Sequence, residues 1–565
     1  MQCIGRHAAR QEKSNPSRSL RRSRLAHYIF IAILVVIAYL PIFTGDFVFD
    51  DQTLIRDNTY ITRLQSVSYY LSQEDGIVDK RDKGLLHTGY YRPLLNITYF
   101  MDYKIWGMKA YGFRMTNLIL HLLTCFLMYE LFLSLTGPRL GVFCAVLLFA
   151  VHPVHTETVS IIVSRNNILV TIFILISFYA YHIWWKKGAP YALAVSLISF
   201  ALAVFSKEFG LMVLPIFFLY QRLLAGKKNL RKEMESYFPY IIIMIIYLIL
   251  RKTVVSSSFS VPGDMLARLA HIPYLITYNL NLIFLPHNLH SFSVGYPGSL
   301  LTPSVLASFF IVLLMAVLLY AWRKESLVVF SVGAFFLTLL PVLNVIDKAS
   351  VSLVAMRWLY LPMSFLALGL VWMSAKFSDF FRKKLIMIIF IAGAFYLAVG
   401  SYTLNAYLWH DQETFLKQEV RHFANEAYMG DYAEMMFKKG QYQEAEYYFQ
   451  CVLKRKPILS RDLINYAALF IETGRPQEAL NILLKARSLI MDHKERLHWN
   501  NNMGGALTLI GDYDRAHEYF GNALALDPKD VLVNRNLAYL LFREGRTEEA
   551  NKRLKISEEI KRANY

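Results

Sequence analysis

The chain has 565 residues, of which 55% are hydrophobic and 18% charged, and its formal net charge is +18. Soluble proteins carry roughly 25% charged residues, so this composition excludes a typical compact soluble enzyme. The four cysteines are scattered and two of them lie inside apolar runs, which excludes a disulfide framework and a cysteine-based metal site.

The first 26 residues form a basic segment in which Glu12 is the only acidic residue. An apolar run over about 27–44 follows, and no small-residue cleavage site precedes the acidic sequence FVFDDQ. An uncleaved first span is therefore favoured over a signal peptide. Because positive charge accumulates at the cytoplasmic ends of spans, we predict a cytoplasmic N-terminus.

Apolar windows without charge recur as far as residue 405 and predict an all-α fold with a polytopic membrane domain over 27–405. Segment 264–286 contains Pro273 and several polar residues, so we predict that it is re-entrant or interfacial. Eleven crossings that start inside the cell make the loop 45–114 and the C-terminus external. The predicted crossings are 27–44, 115–135, 139–152, 166–185, 190–205, 208–222, 237–250, 303–321, 326–343, 354–373 and 384–403.

The positive charge concentrates in the predicted cytoplasmic connections, for example at Lys186–Lys187 and Arg323–Lys324. This is the distribution that the positive-inside rule requires. The basic excess therefore marks membrane topology, and nucleic acid is not expected as a partner.

After Asn405 the composition becomes that of a soluble domain, and two residue types recur together. The shared spacing, 34, 37 and 34 residues, is that of the tetratricopeptide repeat, a helical hairpin that stacks into a solenoid. We predict a repeat domain over 406–565 with about four repeats, which binds a protein or peptide; a plain spacer is the alternative. The recurring residues are Gly440, Gly474, Gly511 and Gly545, with Ala445, Ala479, Ala516 and Ala550.

Two adjacent carboxylates, Asp50 and Asp51, open the first predicted external loop. Like charges disfavour joint ionisation, so one of the pair could act as a general base towards an acceptor hydroxyl. A solvated loop is the alternative. His152 and His155 could instead bind a divalent cation together with Asp50, although their spacing matches no standard metal site. No other cofactor is expected.

Three cations, Arg165, Lys207 and Arg357, are predicted on the same side of the membrane as the carboxylates. Such a set suits an anionic lipid phosphate and a hydroxyl nucleophile. Polar residues at membrane depth are costly and usually functional. The supporting polar residues on this predicted side are Arg92, Asn117, His121, His152, His155, Glu157, Glu208 and Tyr360.

Eight short motifs, taken in order and followed by the repeats, resemble the transmembrane and tetratricopeptide-repeat-containing O-mannosyltransferases of the GT-C superfamily. The resemblance covers about 27–560 and suggests a bacterial member. The motifs are FVFDD (Phe47–Asp51), YRPL (Tyr91–Leu94), N-x₃-H (Asn117, His121), HPVHTE (His152–Glu157), SR-x-N (Ser164, Arg165, Asn167), KEFG (Lys207–Gly210), RWLYLP (Arg357–Pro362) and W-x-D-x-E (Trp409, Asp411, Glu413).

The resemblance implies an inverting membrane glycosyltransferase that takes a sugar from a polyprenyl-phosphate carrier on the non-cytoplasmic face. It implies that Asp50 and Asp51 are catalytic and that Arg165, Lys207 and Arg357 hold the lipid phosphate. Mannose is one candidate sugar, but Asn167 and Met356 stand where the family commonly has acidic residues, which leaves the donor open. A bacterial member would lie in the inner membrane, with periplasmic repeats. A non-enzymatic scaffold is the second reading and a transporter the third.

Overall fold

The computed structural model describes residues 16–62, 76–78, 85–87, 89–137, 140–226, 230–255, 265–287, 289–293, 299–343, 354–380, 383–422, 428–454, 458–490 and 493–563. Residues 1–15 of the predicted cytoplasmic segment and 63–75 of the predicted external loop therefore lie outside the described residues.

The chain divides into two compact units. We call the first the membrane unit; it comprises Met1–Asp46, Gln65–Gln73 and Gly89–His410. The second, the repeat unit, comprises Phe47–Leu64, Glu74–Thr88 and Asp411–Tyr565. The acidic motif that opens the predicted external loop thus belongs to the same unit as the C-terminal repeats.

The described part of the membrane unit is almost entirely helical. One short antiparallel strand pair joins β3 (Phe292–Ser293) to β4 (Val354–Ala355). The helices are α1 (Pro16–Tyr39), α2 (Pro93–Trp106), α3 (Ala110–Thr136), α4 (Leu140–Ala150), α5 (Thr156–Ser160), α6 (Arg165–Lys187), α7 (Pro190–Ser206), α8 (Val213–Leu223), α9 (Leu230–Val254), α10 (Met265–Ala270), α11 (Ile272–Phe284), α12 (Pro303–Ala321), α13 (Ser326–Leu339), α14 (Tyr360–Phe380) and α15 (Lys383–Tyr407).

Among the described residues, seven helices are long and apolar enough to cross a membrane. Helix α4 and the following segment Pro153–Ser160 form a pair bent by 50°, which makes an eighth span if the two cross the membrane together. The sequence predicted eleven crossings. The other three, at 190–205, 208–222 and 326–343, are shorter helices, because polar or proline-containing breaks end them before the ~20 residues of a straight crossing. By length and composition, seven or eight of the described helices qualify as spans, and the count of eleven stays a prediction.

The predicted re-entrant segment 264–286 forms α10 and α11, which meet at His271. At 13 residues, α11 is too short for a straight crossing, which needs ~20 residues. Its place in the membrane stays a prediction.

The repeat unit contains a two-stranded antiparallel hairpin, β1 (Gly76–Val78) with β2 (Leu85–His87), and a series of paired helices. The first of these helices, α16, precedes four helical hairpins in the described residues. The helices are α16 (Gln412–Lys417), α17 (Met429–Lys438), α18 (Tyr442–Lys454), α19 (Ser460–Glu472), α20 (Pro476–Ala486), α21 (His493–Ile510), α22 (Tyr513–Leu526), α23 (Val531–Arg543) and α24 (Thr547–Ala563).

The recurring glycines and alanines have separate physical roles. Each recurring glycine sits in the turn inside a hairpin with a positive φ, between 71° and 91°, a conformation that glycine adopts without the steric cost of a Cβ. Each recurring alanine is fully buried between helices. In the third hairpin a Cβ on Gly504 would lie 2.9 Å from the Phe520 ring, so glycine is needed for the helices to meet.

Candidate active site

The acidic motif lies in the repeat unit. Val48 is fully buried, and its carbonyl oxygen accepts the main-chain N–H of Asp51 at 3.1 Å. A short π-helical turn, Gln52–Arg56, continues from this point. The Asp51 side chain is fully buried whereas Asp50 is half-buried, so Asp50 is the carboxylate more accessible to a substrate.

The membrane unit holds an ion pair between two predicted site residues from distant parts of the chain. Glu157, in α5, is fully buried and accepts hydrogen bonds from Arg357. The main-chain N–H of Arg357 donates to Glu157 Oε2 at 2.8 Å, and its guanidinium contacts Oε1. The Arg357 side chain is 20% exposed, so the carboxylate orients the guanidinium without enclosing it completely.

Lys207 caps the C-terminus of α7 and is buried, with 4% of its surface exposed. Its ammonium donates to Asn167 Oδ1 at 2.6 Å and lies 4.1 Å from the Phe209 ring centroid. Asn167 is the position at which the resemblance leads us to expect an acid. Because its amide is neutral, this contact leaves the lysine charge uncompensated.

A second ion pair joins Arg92, before α2, to Glu208, next to the lysine. Arg92 is buried and reaches Glu208 Oε1 at 2.9 Å, while its guanidinium lies 4.0 Å from the Tyr90 ring centroid. Burial alone would raise the pKa of Glu208, but Arg92 and Lys207 outweigh it and lower that pKa to about 2. Glu208 is therefore a permanent carboxylate at neutral pH.

The charges of Arg92, Glu157, Glu208 and Arg357 all act electrostatically on Lys207. Burial, followed by the positive charge of Arg92, lowers the pKa of Lys207 from 10.5 to about 7, and Arg357 pushes it in the same direction. Glu208 and Glu157 oppose the shift. The group contains three cations and two carboxylates, so one positive charge remains when Lys207 is protonated. We call Arg92, Glu157, Lys207, Glu208 and Arg357 the cationic cluster.

Arg165 occupies a different environment from the cationic cluster. It is fully buried and forms an ion pair with Asp102 of α2, and it donates to Asn117 Oδ1 at 2.7 Å and to the Phe113 carbonyl at 3.0 Å. Its guanidinium is thus engaged by protein acceptors from two helices. Four of its donor contacts go to protein acceptors, and a role of Arg165 in holding the lipid phosphate stays a prediction.

The predicted polar residues Asn117, His121 and Tyr360 also serve packing. Asn117 Nδ2 donates to the Val159 carbonyl at 3.1 Å. The two ring nitrogens of His121 lie 2.7 Å from the Tyr360 hydroxyl and 2.8 Å from the Ala150 carbonyl oxygen. All three side chains are buried.

The histidines of the HPVHTE motif line the break after α4. His152 Nε2 lies 2.9 Å from the Ile283 carbonyl oxygen. His155 is fully buried against Phe149, and neither of its ring nitrogens has a hydrogen-bond partner among the described residues. Within the described ranges, no group of three or more His, Cys, Asp and Glu side chains could hold a metal ion, so the alternative of a cation bound by His152, His155 and Asp50 gains no support.

The structure also reveals polar residues that sequence reasoning missed. Asp102 neutralises Arg165, as described above. Arg114, fully buried in α3, donates to four main-chain carbonyls, those of Ile42, Asp46, Ser160 and Trp409. A charged side chain inside an apolar stretch is the pattern that could have identified both.

The acidic motif and the cationic cluster belong to different compact units. Within the membrane unit, the structure brings together Arg92, Glu157, Lys207, Glu208 and Arg357. The proximity of Asp50 and Asp51 to this cluster stays a prediction.

Comparison with known proteins gives matches for both parts of the chain. Residues 94–256 match a family described as dolichyl-phosphate-mannose-protein mannosyltransferase, and residues 510–562 match a tetratricopeptide repeat family. The first match contains Glu157, Lys207 and Glu208, whereas Arg92 and Arg357 lie outside it.

The curated relatives carry the name protein O-mannosyl-transferase. Protein O-mannosyl-transferase F38B6.6 of Caenorhabditis elegans is 25% identical over 371 residues, covering 62% of this chain and 51% of its own length. Protein O-mannosyl-transferase TMTC4 of Homo sapiens is 29% identical, covering 37% of this chain and 31% of its own. The chain thus spans about half or less of the length of these relatives.

Among solved structures, ArnT from Cupriavidus metallidurans bound to undecaprenyl phosphate aligns with 94% of this chain and 74% of its own. The identity is 11% and the TM-score is 0.33, so this likeness carries no argument about the site.

Proposed function

We propose that this chain, a TMTC-like member of the GT-C glycosyltransferases, transfers a sugar from a polyprenyl-phosphate carrier to a hydroxyl group of a protein. The observation that carries the proposal is the cationic cluster, a set of charges with a net positive balance in which Arg92, Glu157 and Lys207 are buried and Glu208 and Arg357 are partly exposed. Glu157, Lys207 and Glu208 lie in the part of the chain that matches the mannosyltransferase family. An excess positive charge in such a largely buried group is costly unless an anion occupies it.

The anion that fits is the phosphate of the lipid-linked donor. Lys207 supplies a point charge and Arg357 a planar fork of donors, the two modes by which proteins bind phosphate. Glu157 holds the Arg357 guanidinium and its main chain in place. Arg92 and Glu208 form the outer pair that fixes the segment following α7.

The transfer itself is a single displacement. Asp50 takes the proton of the acceptor hydroxyl, whose oxygen forms a bond to the anomeric carbon while the bond from that carbon to the phosphate oxygen breaks. The lipid phosphate leaves with one more negative charge, which Lys207 and Arg357 stabilise. Attack on the face opposite the phosphate inverts the anomeric centre, as in single-displacement glycosidases.

We assign the acceptor to the protein class because the repeat unit presents stacked helical hairpins, which other proteins use to bind peptides. The mannosyltransferase names of the relatives make mannose the first sugar to test. For a bacterial cell the proposal is an inner-membrane protein with a cytoplasmic N-terminus, periplasmic repeats and undecaprenyl phosphate as the carrier. The orientation depends on whether the number of crossings is odd.

The test measures sugar release and transfer from polyprenyl-phospho-sugars by the full chain in nanodiscs. We expect Asp50→Asn to abolish transfer and Lys207→Met to weaken donor binding. Asp57→Asn is the matched control, because Asp57 is an exposed carboxylate in the same loop, paired with Arg56. If Asp50→Asn and Asp51→Asn both keep wild-type turnover, the carboxylate mechanism is wrong.

A membrane-anchored scaffold predicts a different pattern. Loss of the repeats would then remove every phenotype, while Asp50→Asn and Lys207→Met would be silent in cells. Silent site variants together with a strong repeat-deletion phenotype would replace the enzyme proposal by the scaffold.

A further inference from the structure

The residue directly before the acidic pair has an unusual backbone. Phe49 has φ 57°, and it is the only non-glycine residue with a positive φ among the described residues. Bulky side chains rarely adopt this left-handed conformation, because the Cβ approaches the following carbonyl oxygen. Such strain persists only where the surroundings impose it, and it gathers at functional sites.

The surroundings of Phe49 come from the beginning of the C-terminal part of the repeat unit. Its main-chain N–H donates to Gln412 Oε1 at 2.7 Å. Its ring centroid lies 5.6 Å from that of Phe415 and 5.7 Å from that of Tyr428, and these two rings are 5.0 Å apart. A hydrogen bond and two aromatic contacts thus connect Phe49 to residues that lie more than 360 positions later in the sequence.

The conformation of Phe49 determines where the carboxylates point. The Val48 carbonyl accepts the N–H of Asp51 at 3.1 Å and the Phe49 carbonyl accepts the N–H of Gln52 at 3.2 Å, so Phe49 lies within the two overlapping turns that carry the carboxylates. A change in φ at Phe49 rotates every atom that follows it. The π-helical turn Gln52–Arg56 then continues the chain, a geometry frequent at functional sites.

A second contact inside the membrane unit brings the same two chain segments together. The N–H of Asp46 donates to the His410 carbonyl at 2.8 Å, and the Arg114 guanidinium binds the carbonyls of Asp46 and Trp409. A Cβ on Gly45 would lie 2.3 Å from the His410 carbonyl oxygen. The chain segments that precede Phe49 and Gln412 are therefore held next to each other within the membrane unit.

We infer that Gln412 is a positioning residue for the acidic pair, and that Phe415 and Tyr428 complete its support. The inference rests on the proposed function, and it links the start of the repeats to the orientation of the catalytic carboxylates. It adds a role for a residue that lies within the W-x-D-x-E motif, between Asp411 and Glu413.

The role depends on the acceptor oxygen of Gln412. Glutamate retains a side-chain oxygen at the same reach and can accept the Phe49 N–H. Leucine has a similar volume but no acceptor, so Phe49 loses its hydrogen bond and can relax to a negative φ. A misplacement of the reacting group by ~1 Å lowers turnover about 100-fold.

The experiment compares Gln412→Leu with Gln412→Glu in the full chain, with Gln441→Leu as the matched control, because Gln441 is an exposed glutamine of the repeats. We expect Gln412→Leu to lower kcat about 100-fold with little change in KM for the lipid donor, and Gln412→Glu to restore most of the loss. Equal kcat for Gln412→Leu and wild type, or equal losses for Gln412→Leu and Gln412→Glu, would overturn the inference.

Hydrogen exchange provides a measurement that does not depend on sugar transfer. A peptide covering residues 47–54 should exchange faster in Gln412→Leu than in wild type, and at the wild-type rate in Gln412→Glu. If transfer is absent from the wild type but this exchange pattern holds, the proposed function fails while the support of Phe49 by Gln412 stands. Unchanged exchange in Gln412→Leu refutes that support whatever the activity.

Discussion

If Lys207 binds the proposed donor, we expect the affinity of the protein for that donor to depend on pH. Lys207 lies outside the seven helices that could span the membrane, and its pKa is lowered to about 7 by burial and by Arg92. If the protonated ammonium binds the donor phosphate, a rise in pH above 7 removes that charge from the ligand-free protein. The proposed polyprenyl-phospho-sugar donor is a phosphodiester, which keeps its single negative charge throughout this range.

The size of the change in donor affinity follows from the fraction of protein in which Lys207 is protonated. With a pKa of about 7, the protonated fraction falls about tenfold between pH 6 and pH 8, so the apparent Kd for the donor rises about tenfold. Stability changes in the opposite direction. Between pH 7 and 10.5 the unfolded chain binds more protons than the native one, so the ligand-free protein becomes more stable as pH rises.

The assay is donor binding to the full chain in nanodiscs at pH 6, 7, 8 and 9. Lys207→Arg should bind the donor with little pH dependence, because guanidinium stays charged, and Lys207→Met should bind weakly at every pH. A wild-type Kd that is flat between pH 6 and pH 9, or a Lys207→Arg protein with the wild-type slope, would refute the assignment of Lys207 to the phosphate.

Two further predictions concern stability. Arg165→Met leaves Asp102 buried without its ion-pair partner and should lower the free energy of unfolding by about 3–5 kcal/mol. The measurement is the melting temperature in detergent, which should fall. A variant with the wild-type melting temperature and a raised KM for the donor would instead support a role of Arg165 in donor binding. Gly504→Ala forces a Cβ against the Phe520 ring and should destabilise the repeats by about 1–3 kcal/mol. Gly521→Ala is the control, because nothing lies within 4 Å of the added Cβ, and it should be neutral or stabilising. Equal hydrogen-exchange rates of the repeats in the two variants would contradict this packing.

The repeat unit was predictable because its structure is local. A glycine with a positive φ ends the first helix of each hairpin, and a buried alanine marks the second, so one period in the sequence encodes one structural unit. The helical membrane domain was predictable for the same reason, since apolar length is a local property. The number of crossings was less predictable, because it depends on where helices such as α7 and α13 break.

The candidate site was predicted only in part. Lys207 and Arg357 were identified from their positions at predicted helix ends, and the structure surrounds them with Glu157, Glu208 and Arg92 as one electrostatic group. Arg165 had the same sequence pattern, but in the structure it pairs with a buried carboxylate of α2. Its partner, Asp102, lies 63 residues earlier, and no local pattern distinguishes a cation bound by protein from one available to a ligand.

Sequence by itself determined the membrane character, the repeat architecture and the residue types available for chemistry, because hydrophobicity and period act over a few helical turns. Tertiary structure alone decided which charges neutralise each other and which backbone is strained. The pairing of Arg357 with Glu157 and the support of Phe49 by Gln412 each join residues at least 200 positions apart. Such contacts form only when the chain has folded, because the two partners are brought together and shielded from water by the tertiary structure and not by their neighbours in sequence.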